Sequence, residues 1–213
     1  MSALTPTSPV HRLAVIGSAG RGEDAKRVTK ELYRAMYDRL LAFITELGTV
    51  EELGSGGAAF ADHLAVLAFL AGKMPRLWLS LPASFVLSTG RFVEPYLKSP
   101  GSITNYHHRN FSRAVGGDSL RALRRALLAD GCTSDVFLGF EERNAPIAAW
   151  ADGVIAFTFG DGAILKDGGS ARTMARCLAR GIPSWHVCLP SMAIYSPAEV
   201  RAANGPKRAA TSV

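Results

Sequence analysis

The sequence predicts an α/β fold in which helices cover both faces of an open parallel sheet. Apolar runs with the length of buried strands alternate with helical patterns along most of the 213 residues. One run, Val154 to Phe159, is almost entirely apolar, which is typical of a strand buried on both faces. Glycine-rich turns follow three of the runs, as in the strand-to-helix connections of parallel sheets.

The first half of the chain predicts three strands and two helices. Leu13 to Ile16 form the first strand, and an amphipathic helix follows at roughly residues 24 to 47. Val50 to Leu53 form a short second strand. The helix after it, from about Ala58 to Ala71, is nearly all apolar and is therefore expected to be buried. Arg76 to Leu81 form the third strand.

The pattern is irregular between residues 83 and 118, where aromatic residues, Gly, Ser and Asn occur without a clear period. We interpret this segment as an irregular insertion that leaves the sheet. Asp118 then predicts the N-cap of a helix from Ser119 to Ala129, which buries leucines and exposes arginines. Val136 to Leu138 predict a further short strand.

The last part of the chain predicts two more helices around the apolar strand. One helix spans about Arg143 to Ala151 and leads into that strand. An alanine-rich helix follows the Gly168-Gly169-Ser170 turn and ends at Gly181, two residues before a proline. Trp185 to Leu189 predict the last strand.

Composition is consistent with one compact domain. Hydrophobic residues make up 48% of the chain, and we expect a single domain over residues 11–200 between flexible tails at 1–10 and 201–213. The formal charge of +6 favours anionic ligands. Three cysteines without C-x-x-C spacing, no apolar run long enough to span a membrane and no signal-peptide pattern predict a cytoplasmic protein.

The glycine-rich turns predict an anion site. They span Gly17 to Gly22, Gly54 to Gly57 and Gly160 to Gly169, each after a strand. If these strands are neighbours, the turns meet at the carboxyl edge of the sheet, where backbone N–H groups and helix dipoles favour phosphate or carboxylate groups. The sequence contains neither the dinucleotide fingerprint G-x-G-x-x-G in the first turn nor a P-loop, so neither of those standard sites is expected.

Several blocks of the sequence resemble the SLOG superfamily of Rossmann-like proteins. The blocks are V-I-G-S-A-G-R, G-S-G-G-A-A-F-A-D-H-L-A and E-E-R-N-A-P-I-A-A-W-A-D-G-V-I-A-F followed by G-G-S, in that order, over about half of the chain. That superfamily includes the DNA-processing protein A family, nucleotide-sensing proteins, and the Lonely Guy phosphoribohydrolases with their lysine-decarboxylase-like relatives. The resemblance implies a Rossmann-like fold and a nucleotide-derived ligand. By position, it implies ligand contacts from Gly17, Ser18, Arg21, Ser55, Gly56, Gly57, Asp62, Arg143, Asn144, Gly168, Gly169 and Ser170.

Among the candidate side chains, Arg143 is the one that we expect to contribute most to ligand affinity. It lies in E-E-R-N at the start of a helix, and its guanidinium offers a fork of donors to phosphate or carboxylate oxygens. The alternative is a structural ion pair with Glu141, Glu142 or Asp167.

The sequence departs from the phosphoribohydrolases at one catalytic position. Those enzymes carry P-G-G-x-G-T-x-x-E, whereas this chain has K-D-G-G-S-A-R-T, with Thr173 at or near the glutamate. A hydroxyl cannot supply the charge that a carboxylate gives to an oxocarbenium-like centre. The catalytic residues are therefore unknown, with Glu142 and Asp161 as the candidate carboxylates; Glu141 or Asp167 could also supply one.

Two further clusters leave alternatives open. Tyr106, His107, His108 and Arg109 suit stacking on a base and contact with its phosphates, or form an exposed loop or subunit contact. The adjacent histidines do not predict a metal site. Arginines at 121, 124 and 125 are a solvated helix face or a nucleic-acid contact.

The sequence thus predicts a cytoplasmic homo-oligomer that binds a nucleotide or nucleotide-derived small molecule as a sensor or binding protein. The alternative is a hydrolase or transferase acting on an N-glycosidic or phosphoester bond, of the nucleotide N-glycosidase type. We expect no cofactor, no metal and no membrane partner. Nucleic acid is an open alternative that the positive charge favours but no motif supports.

Overall fold

A computed structural model of the chain describes residues 8–166 and 168–205. Most of both predicted tails and Asp167 lie outside these residues. The strands are β1 (Arg12–Gly17), β2 (Glu52–Ser55), β3 (Arg76–Leu81), β4 (Phe85–Val86), β5 (Arg91–Phe92), β6 (Cys132–Val136), β7 (Gly153–Thr158), β8 (Ser184–Cys188) and β9 (Ala193–Tyr195). The helices are α1 (Lys30–Leu47), α2 (His63–Leu70), α3 (Pro100–Val115), α4 (Ser119–Leu127), α5 (Asn144–Trp150), α6 (Gly169–Ala179) and α7 (Pro197–Asn204), with a 3₁₀ helix at Gly22–Arg27.

Seven strands form one sheet in the order β6-β3-β2-β1-β7-β8-β9. All neighbouring pairs are parallel except β8 and β9. The chain builds outward from β1 through β2 and β3 to β6, then crosses to the other side of β1 to form β7. The order therefore reverses between β1 and β7, where open α/β sheets bind their ligands.

Helices cover both faces of this sheet. Alternate residues of β1 point to opposite faces, because side chains along a strand alternate with a period of two. Leu13 and Val15 pack in the core with α1, α2 and α4, whereas Ala14 and Ile16 pack with α5, α6 and α7. Every residue of β7 is buried, as its apolar run predicts. The structure is thus the predicted α/β fold, a Rossmann-like open sheet with helices on both faces.

The segment 83–118 is not irregular, and this part of the prediction is wrong. It contains a hairpin of β4 and β5 and the 16-residue helix α3. Ser99 caps α3 by accepting a hydrogen bond from Ser102 N at 3.2 Å. The helix escaped prediction because its buried face carries Thr104, Asn105 and His108 besides Phe111, so hydrophobic periodicity is weak.

Several element boundaries also differ from the predictions. The predicted helix 24–47 is divided, since the Thr29 hydroxyl accepts a hydrogen bond from Leu32 N at 3.1 Å and starts a new helix after the 3₁₀ turn. Residues 60–62 form a turn, so α2 begins at His63 rather than near Ala58, and β6 begins at Cys132 and ends at Val136.

The predicted tails also overlap the folded part of the chain. Val10 is buried in the core, although it was assigned to the N-terminal tail. Residues 201–204 belong to α7, which a capping box between Ser196 and Glu199 stabilises. None of the helices in the described ranges is long and apolar enough to cross a membrane.

Candidate functional site

A cavity of about 270 Å³ opens at the carboxyl ends of β1 and β7, at the point where the strand order reverses. Nine of the residues predicted to contact a ligand line it, and they come from the turns after β1, β2 and β7 and from the start of α5. They are Gly17, Ser18, Arg21, Asp62, Arg143, Asn144, Gly168, Gly169 and Ser170. The tertiary structure therefore brings together most of the predicted site.

The turn after β1 forms the floor of the cavity. Ser18 N donates a hydrogen bond to Phe157 O at 2.9 Å, which joins this turn to β7. A Cβ atom at Gly17 would overlap that same carbonyl oxygen and lie 2.7 Å from the Ala61 Cβ, so only glycine fits. The Ser170 hydroxyl donates to Gly17 O at 2.6 Å and ties α6 to the turn.

The N-terminus of α6 points its first amides at the cavity. Gly168 has φ +138°, in a region of backbone space that favours glycine, and it precedes the helix without a side-chain cap. The first N–H groups of a helix have no partner within the helix, and its dipole places positive charge at this end. The predicted Gly168-Gly169-Ser170 turn is therefore a geometry that accepts an anion.

Asn144, the first residue of α5, contributes an unpartnered amide. Its residue is 4% exposed, and its Nδ2 has no hydrogen-bond partner. The amide lies 3.8 Å from the position of a Cβ on Gly169, which places it next to the first turn of α6. Glu141 is at most a weak acceptor for Nδ2: Arg172 mainly lowers the pKa of Glu141, and a side-chain hydrogen bond from Asn144 is the smallest contribution. Because an amide nitrogen carries two N–H groups, at least one of them remains for a ligand. A buried donor without a partner costs free energy, and a ligand oxygen would satisfy it.

Arg143 and Asp62 form a buried ion pair in the wall of the cavity. Arg143 Nη2 lies 3.7 Å from Asp62 Oδ2, and Nη1 donates to Gly56 O. Burial raises the pKa of Asp62 above its ordinary value, and the Arg143 guanidinium opposes that rise. The structural alternative for Arg143 thus exists, but its partner is Asp62 rather than Glu141 or Glu142.

Arg21 is the accessible cation of the cavity. Its guanidinium lies 5.2 Å above the Phe140 ring, and no carboxylate of the described residues lies within 4.0 Å of it. Its side chain is open to solvent, yet partial desolvation by the cavity walls lowers its pKa, with Asp62 opposing. Burial lowers the pKa of Arg143, Asp62 opposes this effect, and the charge of Arg21 adds to the lowering. An anion between the two guanidinium groups would relieve this repulsion.

Other charged groups at the cavity are already paired. Lys166 Nζ lies 2.8 Å from Asp24 Oδ1, and Arg172 Nε donates to Glu141 Oε1 at 2.7 Å. Sequence reasoning assigned none of these four residues to ligand binding. Lys166 lies close to the predicted Gly168 turn along the chain, and Glu141 lies close to the predicted Asn144. This proximity in sequence was the signal that could have identified them. Phe140 and Thr158 also line the cavity without having been predicted.

Ser55, Gly56 and Gly57 do not line the cavity. All three are buried, and their polar groups serve the interior. The Ser55 hydroxyl accepts from Gly57 N at 3.2 Å, and His108 Nε2 donates to Gly57 O at 3.1 Å. The second glycine turn therefore supports the Asp62–Arg143 pair from the interior and does not line the cavity.

Of the candidate catalytic carboxylates, Glu142 and Asp161 lie outside the cavity lining, whereas Glu141 lines it and is paired with Arg172. Glu142 packs its carboxylate against Gly139, and Asp161 closes a turn in which its N–H donates to Ile164 O at 3.1 Å. Thr173 does line the cavity, but its hydroxyl donates to Gly169 O at 3.0 Å within α6. Asp167 lies outside the described residues. Among the described residues, Glu141 is thus the carboxylate candidate of the sequence analysis that lies at the cavity, and its carboxylate is engaged by Arg172.

The two histidines nearest the second glycine turn are buried. His63 and His108 pack edge to face at 5.9 Å between ring centroids, and His108 Nδ1 bonds the Ser119 hydroxyl at 2.9 Å. Burial lowers the pKa of His63 to about 3 and that of His108 to about 4. The view of the Tyr106–Arg109 cluster as an exposed loop is wrong for His108, because the cluster belongs to α3. Within the described residues, no group of three or more His, Cys, Asp or Glu side chains could hold a metal ion.

Comparison with known proteins connects the chain to a viral protein. It is 40% identical over 153 residues to the uncharacterized protein R261 of Acanthamoeba polyphaga mimivirus, which covers 70% of this chain and 82% of the viral protein. The chain belongs to the family of that protein. The name of that relative assigns no activity, and no family model matches the chain. Function is therefore inferred from the site itself.

Proposed function

We propose that the cavity binds a phosphate-bearing nucleotide or nucleotide-derived small molecule, as a sensor or binding protein. The observation that carries the proposal is the convergence of three unsatisfied donors on one cavity. Within the described residues, the N-terminus of α6 has no side-chain cap, and neither the buried amide of Asn144 nor the accessible guanidinium of Arg21 makes a well-formed hydrogen bond to an acceptor there. A phosphate has enough oxygens to accept from all three at once.

The size of the cavity supports a small ligand. Its volume of about 270 Å³ is close to the lower end of small-molecule sites, which span roughly 300 to 1,000 Å³. We therefore expect a mononucleotide or a fragment of one to fit better than a dinucleotide. The Phe140 ring beside Arg21 offers an apolar surface to the part of the ligand that carries no charge.

Binding is favoured over hydrolysis by the state of the acidic groups. Asp24, Asp62 and Glu141 are the carboxylates that line the cavity among the described residues, and each is paired with a cation. General acid or base catalysis requires a carboxyl group free to exchange a proton with the ligand. The Thr173 hydroxyl, committed to Gly169 O, adds no such group.

A thermal-shift panel followed by titration calorimetry tests the proposal. Mono-, di-, cyclic and dinucleotides are added to the apo protein, and a mononucleotide at about 100 times its dissociation constant should stabilise the fold by roughly 2.7 kcal/mol. Chromatography of the same mixtures for free base and ribose phosphate separates binding from N-glycosidic hydrolysis. No stabilisation by any member of the panel would contradict the proposal.

Two variants localise the binding. Arg21→Ala should weaken affinity by about 10- to 150-fold, the usual range for a hydrogen bond to a charged group. Asn144→Asp keeps the shape of the side chain but replaces a donor by a negative charge, so it should weaken phosphate binding at least as much. Arg34→Ala, at an exposed position of α1 outside the cavity, is the matched control and should leave affinity unchanged.

A further inference from the structure

A second, larger groove lies between the β4–β5 hairpin and helices α3 and α4. Its volume is about 890 Å³, and it shares no lining residue with the nucleotide cavity. Five exposed arginines line it, one from the hairpin and two from each helix. They are Arg91, Arg109, Arg113, Arg121 and Arg124.

The positive charge of this groove is largely uncompensated. Asp118 is the acidic residue among those that line it, and its carboxylate is already the N-cap of α4, accepting from Arg121 N at 2.9 Å. Glu94 lies 4.0 Å from Arg109. In the part of the chain that the structure describes, the other four arginine side chains have no carboxylate within 4.0 Å.

Buried hydrogen bonds fix the hairpin against α3. Asn105 pairs with the backbone of Phe92 as a neighbouring strand would, accepting from its N–H at 3.0 Å and donating to its carbonyl at 2.9 Å. The turn of the hairpin also lies close to α4, since a Cβ atom placed on Gly90 would be 3.5 Å from Arg124 Cδ.

Buried serines fix α3 against α4. The Ser112 hydroxyl lies 2.8 Å from that of Ser119 and accepts from Ser119 N at 3.0 Å. His108 joins the same network through Ser119. The three walls of the groove are therefore held in place before any ligand arrives, which lowers the entropic cost of binding.

The arginines form rows rather than one cluster. Arg109 and Arg113 lie one helical turn apart on α3, and Arg121 and Arg124 repeat this spacing on α4. Two rows of guanidinium groups on opposite sides of a groove match a linear polyanion better than a single phosphate. Tyr106 is 54% exposed and extends the α3 row by one turn, because Tyr106, Arg109 and Arg113 are spaced at i, i+3 and i+7 along the helix.

We propose that this groove binds single-stranded nucleic acid through its phosphates, with Tyr106 stacking on a base. Guanidinium groups bind phosphate oxygens in pairs, and an exposed aromatic ring stacks on an unpaired base of any sequence. Combined with the formal charge of +6, these features predict sequence-tolerant binding that weakens steeply with salt. The site is separate from the nucleotide cavity and does not depend on the function proposed for it.

Fluorescence anisotropy of a labelled 20-nucleotide oligo-dT, titrated with the full protein between 50 and 200 mM salt, tests the proposal. A triple variant, Arg91→Ala, Arg113→Ala and Arg121→Ala, should bind at least about 10-fold more weakly than wild type at 0.1 M salt. The slope of log affinity against log salt should also flatten by about 2, because each lost phosphate contact removes about 0.7 from the slope of a single strand.

A matched triple variant controls for net charge. Lys30→Ala, Arg34→Ala and Lys73→Ala remove the same charge from exposed positions outside the groove. This variant should keep nearly the affinity and slope of wild type. Equal losses in the two triple variants would assign binding to overall charge and overturn the groove as the site, as would absence of binding by wild type at 50 mM salt.

Tyr106→Ala separates nucleic acid from other polyanions. Loss of one stacked base should weaken oligo-dT by about 5- to 140-fold, whereas binding of inorganic polyphosphate should not change. Weaker binding of the same strand in duplex form supports the single-stranded assignment. If Tyr106→Ala has no effect and polyphosphate competes as well per phosphate as oligo-dT, the proposal of nucleic acid is wrong. Circular dichroism of each variant confirms that the fold is retained.

Discussion

Replacement of Arg143 by methionine should destabilise the protein by about 3 to 5 kcal/mol, because it leaves the buried Asp62 carboxylate without its cation. Asp62 is 4% exposed, and Arg143 Nη2 lies 3.7 Å from its Oδ2. Methionine roughly fills the space of the arginine side chain, so the cost measures lost charge compensation more than a cavity. It also removes the donor to Gly56 O.

The measurement is urea unfolding of the apo protein at pH 7.5, followed by circular dichroism. For a chain of this length, the expected loss corresponds to a fall in Tm of about 6 to 20 °C. Asp62→Asn and the double variant complete a mutant cycle. The double variant should lose less than the sum of the single variants, with a coupling of at least about 2 kcal/mol, since it buries no unpaired charge.

The pH dependence supplies a second readout. Burial already raises the pKa of Asp62, and Arg143 is the largest of the groups that oppose that rise, ahead of backbone hydrogen bonds and Arg21. The carboxyl group of Arg143→Met should therefore become protonated at mildly acidic pH, and the difference in stability from wild type should shrink between pH 7.5 and pH 5. A cost below about 1 kcal/mol, or additive effects in the cycle, would refute the buried pair as a stabilising element.

Three further predictions concern the interior. Burial lowers the pKa of His63 to about 3 and of His108 to about 4, so below pH 6.5 the unfolded state binds more protons than the folded state. The free energy of unfolding should therefore decrease as the pH falls, by about 2 kcal/mol for each histidine between pH 7.5 and 5.0. A free energy of unfolding that does not change over this range would contradict neutral burial. Gly17→Ala should lower the free energy of unfolding by about 1 to 3 kcal/mol, because the added methyl group overlaps a backbone carbonyl of β7; unchanged urea midpoints would show that the turn can shift. Asn105→Leu should speed hydrogen exchange at the Phe92 amide and cost about 1 to 3 kcal/mol, and wild-type protection at that amide would contradict the role given to Asn105.

Local chemistry in the sequence determined most of the sheet and several helix ends. The apolar run of β7 predicts its own burial because each of its residues contacts the core on one face or the other. Asp118 predicts a helix start because its side-chain oxygen can accept a hydrogen bond from the backbone N–H of Arg121, three residues later. This contact is local and does not depend on the position of the helix in the fold. Glycine-rich turns after strands predict an anion site, because the amides they expose belong to the turn itself.

Only the tertiary structure decided how distant side chains meet. Asp62 and Arg143 belong to turns after different strands, and the sheet order brings them together in the interior, so that no spacing along the chain could predict their pairing. Helix α3 hides polar residues on its buried face, because their hydrogen-bond partners come from the β4–β5 hairpin, the second glycine turn and α4. Hydrophobic periodicity indicates burial only where the buried groups are apolar. Buried polar groups need hydrogen-bond partners, and where these partners are distant along the chain they are brought close only by folding.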